Sequence, residues 1–215
     1  GPVTTGSLAV TMPLTVEGTG SREGHRMDLR RMTIILGLWG FLLLTGCVVL
    51  PIDGGSSATT VQTFEAEGDL EGRGVGFAGY FSRPSQPGLF VQLQSVRDGA
   101  VGGQELSQLP AGGLDPEVAR EQLGWSLAAG TTWEAEENWT LYGGLGLAYT
   151  ETWIERFDGT LSTGDNGFYH TSTGDDLSLE ATVGALWNPT ENWVIDLGYS
   201  TFSEAIFVGL GYSGP

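Results

Sequence analysis

The chain has 215 residues, of which 26 are acidic and 9 basic, so its formal net charge is −17. Nucleic acid is excluded as a partner, because its binding needs Lys and Arg side chains to neutralise the phosphates. One Cys and two His residues exclude an internal disulfide and a Cys- or His-rich metal cluster. We therefore expect neither a cofactor nor a transition-metal site.

The first predicted element is an internal targeting segment. A short basic stretch, the apolar run IILGLWGFLLL and small residues follow one another between Met27 and Gly46, which is the order of parts in a secretory signal peptide. Leu44-Thr45-Gly46-Cys47 resembles the bacterial lipobox, and the resemblance implies cleavage before Cys47 and attachment of lipid to it. The alternative is that Cys47 is an incidental residue of an ordinary signal peptide.

The segments around this signal are predicted to lie outside the folded domain. Residues 1–26, which begin with Gly1 and show no sustained periodicity, are interpreted as translated upstream sequence. Residues 27–46 form the predicted signal peptide, and residues 47–60 the lipidated Cys and a flexible tether rich in Gly and Ser. The remaining segment, 61–215, is the predicted folded domain.

Beyond residue 60 the sequence alternates with a period of two. Between Leu177 and Trp187, one parity carries Leu, Ala, Val and Trp, whereas the other carries Ser, Glu, Thr and Gly before Leu186. This period over about ten residues predicts β-strands. The second face has small residues rather than the long charged side chains that a soluble sheet turns to water. This pattern favours a barrel with Val183 and Leu197 facing lipid near mid-membrane and Thr182 and Gly198 facing a narrow lumen.

Aromatic residues lie at or near the ends of these strands on the apolar parity, as in the interfacial girdles of membrane barrels. The predicted girdle consists of Trp133, Trp139, Tyr149, Trp187, Trp193, Tyr199 and Tyr212. Two copies of the pattern W-x-x-x-E-N-W, beginning at Trp133 and Trp187, each bridge two predicted strands. The alternative is a tandem hairpin in a soluble β-protein with these Trp residues in its core.

From about Thr60 to Tyr212 the chain resembles the small outer-membrane β-barrels of diderm bacteria, whose periplasmic turns often read like Pro-Thr-Glu-Asn-Trp. The resemblance implies an all-β, antiparallel up-and-down transmembrane barrel of eight strands in the bacterial outer membrane. We expect a monomer surrounded by lipid, with the anchor at Cys47 on the periplasmic side. The predicted strands are 61–70, 73–82, 88–97, 120–135, 138–152, 176–188, 192–201 and 204–213. The long connections 98–119 and 153–175 are expected to face outside.

The interior of an eight-stranded barrel is narrow enough for side chains to fill. The predicted polar lumen residues are Tyr80, Gln92, Gln94, Tyr142, Glu180, Thr182 and Asp196. The two carboxylates are expected to pair with an Arg or to hold a proton because of burial. Paired carboxylates also suggest glycoside hydrolysis, but nothing in the spacing demonstrates a cleft, and we favour a structural polar network.

A second resemblance suggests an enzyme. His170-Thr171-Ser172 with Glu180 is similar to the His-x-Ser plus acid arrangement of outer-membrane lipid A deacylases, and implies that His170 takes the proton of Ser172. The residues that flank the family's motif are absent here. The main prediction is therefore a non-enzymatic barrel with a structural, surface-interaction or small-solute role. A lipid-hydrolysing barrel and a soluble periplasmic β-sandwich held by acyl chains are the alternatives.

The predicted outer connections are acidic. Together with Asn166 and loop carbonyls, their carboxylates are candidate ligands for divalent cations such as Ca²⁺, although no calcium loop of fixed spacing is present. We favour a solvated acidic surface. The acidic residues in or beside the two connections are Asp98, Glu105, Asp115, Glu117, Glu121, Glu155, Asp158, Asp165, Asp175 and Asp176.

Overall fold

The computed structural model describes residues 55–68, 70–106, 115–161, 163 and 166–214. The predicted upstream extension, the signal peptide, Cys47 and Asp165 lie outside the described residues. In the described part, no helix is long and apolar enough to cross a membrane.

The described chain is built from nine β-strands, of which eight form a closed barrel. The strands are β1 (Ser56–Ala66), β2 (Gly72–Arg83), β3 (Gln86–Gly99), β4 (Gln104–Glu105), β5 (Glu117–Glu136), β6 (Trp139–Phe157), β7 (Phe168–Trp187), β8 (Trp193–Ser200) and β9 (Ala205–Gly214). All except the two-residue β4 pair antiparallel with their neighbours along the chain, and β9 closes the wall by pairing with β1. The prediction of an eight-stranded antiparallel up-and-down barrel is confirmed.

The strand registers define the tilt of the strands relative to the barrel axis. A row of paired, outward-facing residues can be followed around the whole wall, and it returns to β7 eight residues further along. This row is Leu179, Leu147, Leu127, Leu93, Phe77, Val61, Leu210, Ile195 and Trp187. Such a stagger in an eight-stranded barrel tilts the strands by about 40°, so each residue rises about 2.5 Å along the barrel axis.

Alternation separates an apolar outer face from an inner face of small and polar residues. Val183 and Leu197 are more than half exposed on the outside, whereas Thr182 and Gly198 are buried inside. Gly198 leaves room for a lumen side chain, because a Cβ built there would lie 2.6 Å from the hydroxyl oxygen of Tyr142. The small residues of the inner face therefore accommodate large aromatic rings from other strands.

The two ends of the barrel differ. At the short-turn end, the connections 84–85, 137–138 and 188–192 are brief, and Ser57 at the start of β1 pairs with Gly214 at the end of β9. β5, β6 and β7 have total lengths of 19 or 20 residues, and they extend beyond the other strands at the opposite end, the protruding end. Both described ends of the chain thus lie at the short-turn end.

The first strand starts earlier than predicted. β1 begins at Ser56, so residues 56–60 of the predicted tether are part of the wall, where they pair with β2. The β-branched residues Thr59, Thr60 and Val61 suit a strand. The acidic stretch after Ala66, predicted to continue the strand, forms instead the connection to β2 around Gly68, whose φ is 79°.

Much of the predicted outer connections is strand. The prediction that 153–175 is a loop is wrong over most of its length, because β6 runs to Phe157 and β7 starts at Phe168. The rings of these two residues pack with their centroids 4.8 Å apart, and such cross-strand aromatic pairs stabilise a hairpin. The prediction for 98–119 misses the first residues of β5 and also β4, which pairs parallel with β7.

Candidate functional site

The lumen contains a hydrogen-bonded cluster centred on the fully buried carboxylate of Asp196. Its Oδ2 accepts bonds from Thr60 Oγ1 at 2.9 Å, Gln62 Nε2 at 2.7 Å and the Tyr80 hydroxyl at 2.6 Å. Its Oδ1 accepts a bond from the Tyr142 hydroxyl at 2.7 Å. These four donors, which come from β1, β2 and β6, are uncharged, so of the two predicted alternatives, an Arg partner or a proton held because of burial, the Arg is not among the donors to Asp196.

The structure places all seven predicted lumen residues inside the barrel, each at most 3% exposed. Gln92 Nε2 donates to Gln62 Oε1 at 2.8 Å and thereby extends the Asp196 cluster. Glu180 is separate from that cluster and accepts a bond from Ser200 Oγ at 2.7 Å. The two buried carboxylates therefore have different partners rather than forming a catalytic pair.

Side chains fill the lumen both around Tyr142 and nearer the protruding end. The rings of Tyr80 and Phe90 each lie 5.0 Å from that of Tyr142, measured between centroids. Towards the protruding end, Phe202 and Leu70 lie against the inner face at Gly124, where an added Cβ would contact both. This packing favours a structural lumen over an open channel.

Five of the predicted girdle residues form a lower ring at the short-turn end. They are 40–56% exposed, and Trp139 stacks on its cross-strand partner Trp187 with a centroid distance of 6.0 Å. The five residues of this lower girdle are Trp133, Trp139, Trp187, Trp193 and Tyr212. Both W-x-x-x-E-N-W segments lie at this end, so each turn is flanked by two outward Trp side chains.

An upper girdle lies on β5 and β6. Tyr149 stacks on Trp125 with a centroid distance of 5.8 Å, and it is ten residues, or about 25 Å of axial rise, from Trp139. An apolar band of this height matches the hydrocarbon layer that membrane barrels cross. Trp125 is not among the predicted girdle residues, although it lies on the outward parity of a predicted strand.

Tyr199 lies between the two girdles. It is six residues above Trp193 on β8, which corresponds to about 15 Å, and it pairs with Val183. The short strand β8 ends at Ser200, so its last residues do not reach the upper girdle. The seven predicted girdle residues thus divide into five at the lower girdle, Tyr149 at the upper one and Tyr199 in the band.

The candidate catalytic residues are not brought together. The register of β6 against β7 passes from Thr152–Gly174 to Trp153–Ser172, so Thr173 is a β-bulge. A bulge reverses which parity faces inward. His170 and Ser172 consequently lie on the outer face, whereas Glu180 is buried in the lumen.

His170 has a structural environment instead. Its Nδ1 lies 2.6 Å from the carbonyl oxygen of Gly102, and its ring packs edge-on against Trp153 with a centroid distance of 5.4 Å. Eight residues of strand, about 26 Å, separate Ser172 from Glu180. Glu180, the acid predicted for the lipid-hydrolase alternative, is therefore too far from Ser172 to act with it. Gly174, whose φ is 139°, lies next to the bulge and was the sequence signal for it that went unused.

Several acidic residues of the outer connections have structural contacts. Buried Glu121 lies 2.7 Å from Arg97 Nη2 and accepts a bond from the Val101 backbone N–H. The Asp115 carboxylate accepts a bond from the Tyr169 hydroxyl at 2.8 Å; burial, followed by this bond, raises the pKa of the Tyr169 phenol. Among the described residues, no group of three or more His, Cys, Asp or Glu is placed to hold a metal ion.

The outer halves of β5, β6 and β7 form a sheet that projects beyond the upper girdle. From Tyr149 to Phe157, β6 continues for eight residues, which adds about 20 Å. The segment after β3 crosses the outer face of this protruding sheet, where Val101 and Gly102 contact Glu121 and His170. It then forms β4, and Leu106 N donates to His170 O at 2.9 Å.

A closed eight-stranded wall, an apolar outer band between two girdles and a filled polar lumen define a small transmembrane β-barrel. The fold is that of the small outer-membrane β-barrels, and among solved structures the chain is similar to Ail, the attachment invasion locus protein of Yersinia pestis, in complex with the heparin analogue sucrose octasulfate. That match has 18% identity and a TM-score of 0.50, and it covers 74% of this chain and 99% of Ail.

Two further similar structures are more distant. The Neisserial surface protein A has 11% identity and a TM-score of 0.38, covering 75% of this chain and 95% of its own. The N-terminal β-barrel domain of Pseudomonas aeruginosa OprF has 12% identity and a TM-score of 0.38, covering 74% and 97%. No protein-family model matches the chain, and no curated protein sequence matches it.

Proposed function

We propose that the protein is a non-enzymatic surface protein of the bacterial outer membrane, in which a monomeric barrel holds the protruding sheet above the membrane. The observation that carries this proposal is the continuity of β5, β6 and β7 through the upper girdle, because a hydrogen-bonded sheet is a rigid mount for an interaction surface. The filled lumen argues against a small-solute channel. The separation of Ser172 from Glu180 argues against lipid hydrolysis.

The direction of insertion follows from the two ends. Outer-membrane barrels have short periplasmic turns and long extracellular loops, so the short-turn end is assigned to the periplasm and the protruding sheet to the cell exterior. Exposed acidic residues at the protruding end give this exterior surface an acidic character that keeps it soluble and repels other anions; they include Asp98, Glu105, Glu117, Asp175 and Asp176.

A lipid anchor at Cys47 is compatible with this orientation and is part of the proposal. β1 starts at Ser56 at the short-turn end, nine residues after Cys47. Nine extended residues span at most about 30 Å, which is enough to reach the periplasmic leaflet from the end of the barrel. Acyl chains on the mature N-terminus would thus lie in the leaflet nearest to it.

Cysteine labelling tests the proposed orientation. In a Cys47→Ser background, Gly159→Cys places a thiol in the β6–β7 turn and Asn138→Cys places one in the β5–β6 turn. On intact cells, we expect a membrane-impermeant maleimide to label position 159 and to label position 138 only after the outer membrane is permeabilised. Labelling of position 138 alone on intact cells would refute the proposed orientation.

A further inference from the structure

One edge of β7 is open among the described residues. β8 pairs with β7 only over Thr182–Trp187, and the last backbone bond on that side runs from Thr201 N to Ala181 O at 3.0 Å. At the other end, β4 pairs with β7 at Tyr169 and His170. Between these contacts, the described pairing of residues 172–180 is with β6 alone.

This edge presents regularly spaced backbone groups. In an antiparallel strand, the N–H and C=O of one residue point to the same side and alternate along the chain. Because Ala181 bonds towards β8, residues Asp175, Leu177 and Leu179 point their N–H and C=O groups to the open side. Three donors and three acceptors are available there, enough to pair a segment of about six residues.

The open edge straddles the upper girdle, because Leu179 pairs with Leu147, two residues below Tyr149. Leu177 pairs with Tyr149 of that girdle, and residues 172–176 continue away from the membrane. Every residue from Ser172 to Leu179 is exposed, so both faces of this stretch are open. An added strand would therefore not displace any described part of the protein.

The side chains along the edge select the chemistry of the partner. Leu177 and Leu179 are 62% and 84% exposed on the outward parity, at and just below the upper girdle, so the alternate positions of an added strand that lie beside them must be apolar because they face lipid. Asp175 and Asp176 carry negative charge beside the same edge. Two copies paired through it would bring these carboxylates together, and like charges across a strand pair are destabilising.

We propose that the open edge of β7 binds an extended, basic segment of another protein by strand addition, with backbone hydrogen bonds supplying affinity and the two Leu and two Asp side chains supplying selectivity. This inference rests on the proposed function, since the edge must face the cell exterior. It assigns the interaction to residues 172–180 rather than to the acidic surface in general.

Peptide binding to the purified full chain in neutral phospholipid nanodiscs tests the inference. The probe is a labelled peptide of alternating Arg and Val residues, and the control is the same peptide with every backbone nitrogen methylated. Fluorescence anisotropy should show at least tenfold weaker binding of the methylated form, because methylation removes the donors on both edges of the peptide. Equal binding of the two peptides, or equal binding to empty nanodiscs, would overturn the proposal.

Variants of the protein provide a second arm. Leu177→Pro and Leu179→Pro each remove a backbone N–H that points to the open side and leave the pairing with β6 intact, so each should weaken binding at least tenfold. Leu177→Ala retains that N–H and is expected to weaken binding less. Retained heat-modifiability on a gel establishes that each variant is folded, and folded Pro variants with unchanged affinity would refute strand addition.

Self-association is an alternative occupancy of the same edge. Sedimentation of the wild type should show a monomer in detergent. A dimer that Leu177→Pro dissociates would assign the edge to a second copy and overturn the proposal. If position 159 is labelled on intact cells and the peptide does not bind, the docking inference fails while the proposed function stands.

Discussion

Placing Arg at Val183 is expected to destabilise the barrel strongly. Val183 lies on the outer face and is 56% exposed. It is four residues above Trp187 of the lower girdle, a rise of about 10 Å within an apolar band of about 25 Å. It thus lies within about 3 Å of the membrane midplane, where Arg on the lipid face costs about 2–4 kcal/mol.

Leu141 is the matched position for this experiment. It is also on the outer face, 47% exposed, but it is only two residues from Trp139 and pairs with Trp133. Arg there can reach the interface, so Leu141→Arg should cost at most about 1 kcal/mol. Val183→Leu should be nearly neutral, because both side chains are apolar and face lipid.

The free energy of unfolding in phospholipid vesicles, measured by guanidinium titration, gives the comparison. The expected order of destabilisation is Val183→Arg, then Leu141→Arg, then Val183→Leu. Thr182→Ser, one residue away on the inner face, should be close to neutral. Equal costs for Arg at positions 183 and 141 would refute the axial positions derived from the strand stagger.

Three other perturbations test other parts of the structure. Cys47→Ser should abolish labelling by radioactive palmitate and leave the protein in the membrane fraction, because the apolar band holds it; release into the periplasm would contradict the transmembrane barrel. Asp196→Ala should lower the free energy of unfolding by about 4 kcal/mol, because each of the four buried donors contributes roughly 1 kcal/mol. An unchanged unfolding midpoint would show that the cluster does not stabilise the lumen. Gly198→Ala should cost roughly 1–3 kcal/mol through overlap with Tyr142 and the Phe207 ring, whereas Gly143→Ala, whose added Cβ would meet nothing closer than 3.6 Å, should be tolerated.

Alternation was sufficient to predict the barrel and its inner residues. Gln92 and Thr182 could be placed inside because their neighbours on both sides are apolar, and a two-residue period fixes the facing of a regular strand. The same logic identified Asp196, since Ile195 and Leu197 flank it. These inferences need only local sequence, and they concern strands without irregularities.

The residues that sequence reasoning missed depend on longer-range contacts. Thr60 lies before the predicted strand and donates to Asp196 because β1 starts at Ser56. Gln62 lies inside the predicted strand, but it meets Asp196 only because β1 pairs with β9. The bulge at Thr173 reversed the facing of His170 and Ser172 through the register against β6. Strand ends and bulges are decided by partners far along the chain, so a local pattern does not reveal them.

The Asp196 cluster joins the two halves of the chain across the line where the barrel closes. Thr60 Oγ1 and Asp196 are 136 residues apart in sequence, and β1 meets β9 at that seam. A slip of one residue at the seam would turn Thr60 and Gln62 towards lipid and remove two of the four donors from a buried carboxylate. The cluster is thus complete only when the first and last strands meet in the correct register, so a barrel closed one residue out of register would lack its stabilisation.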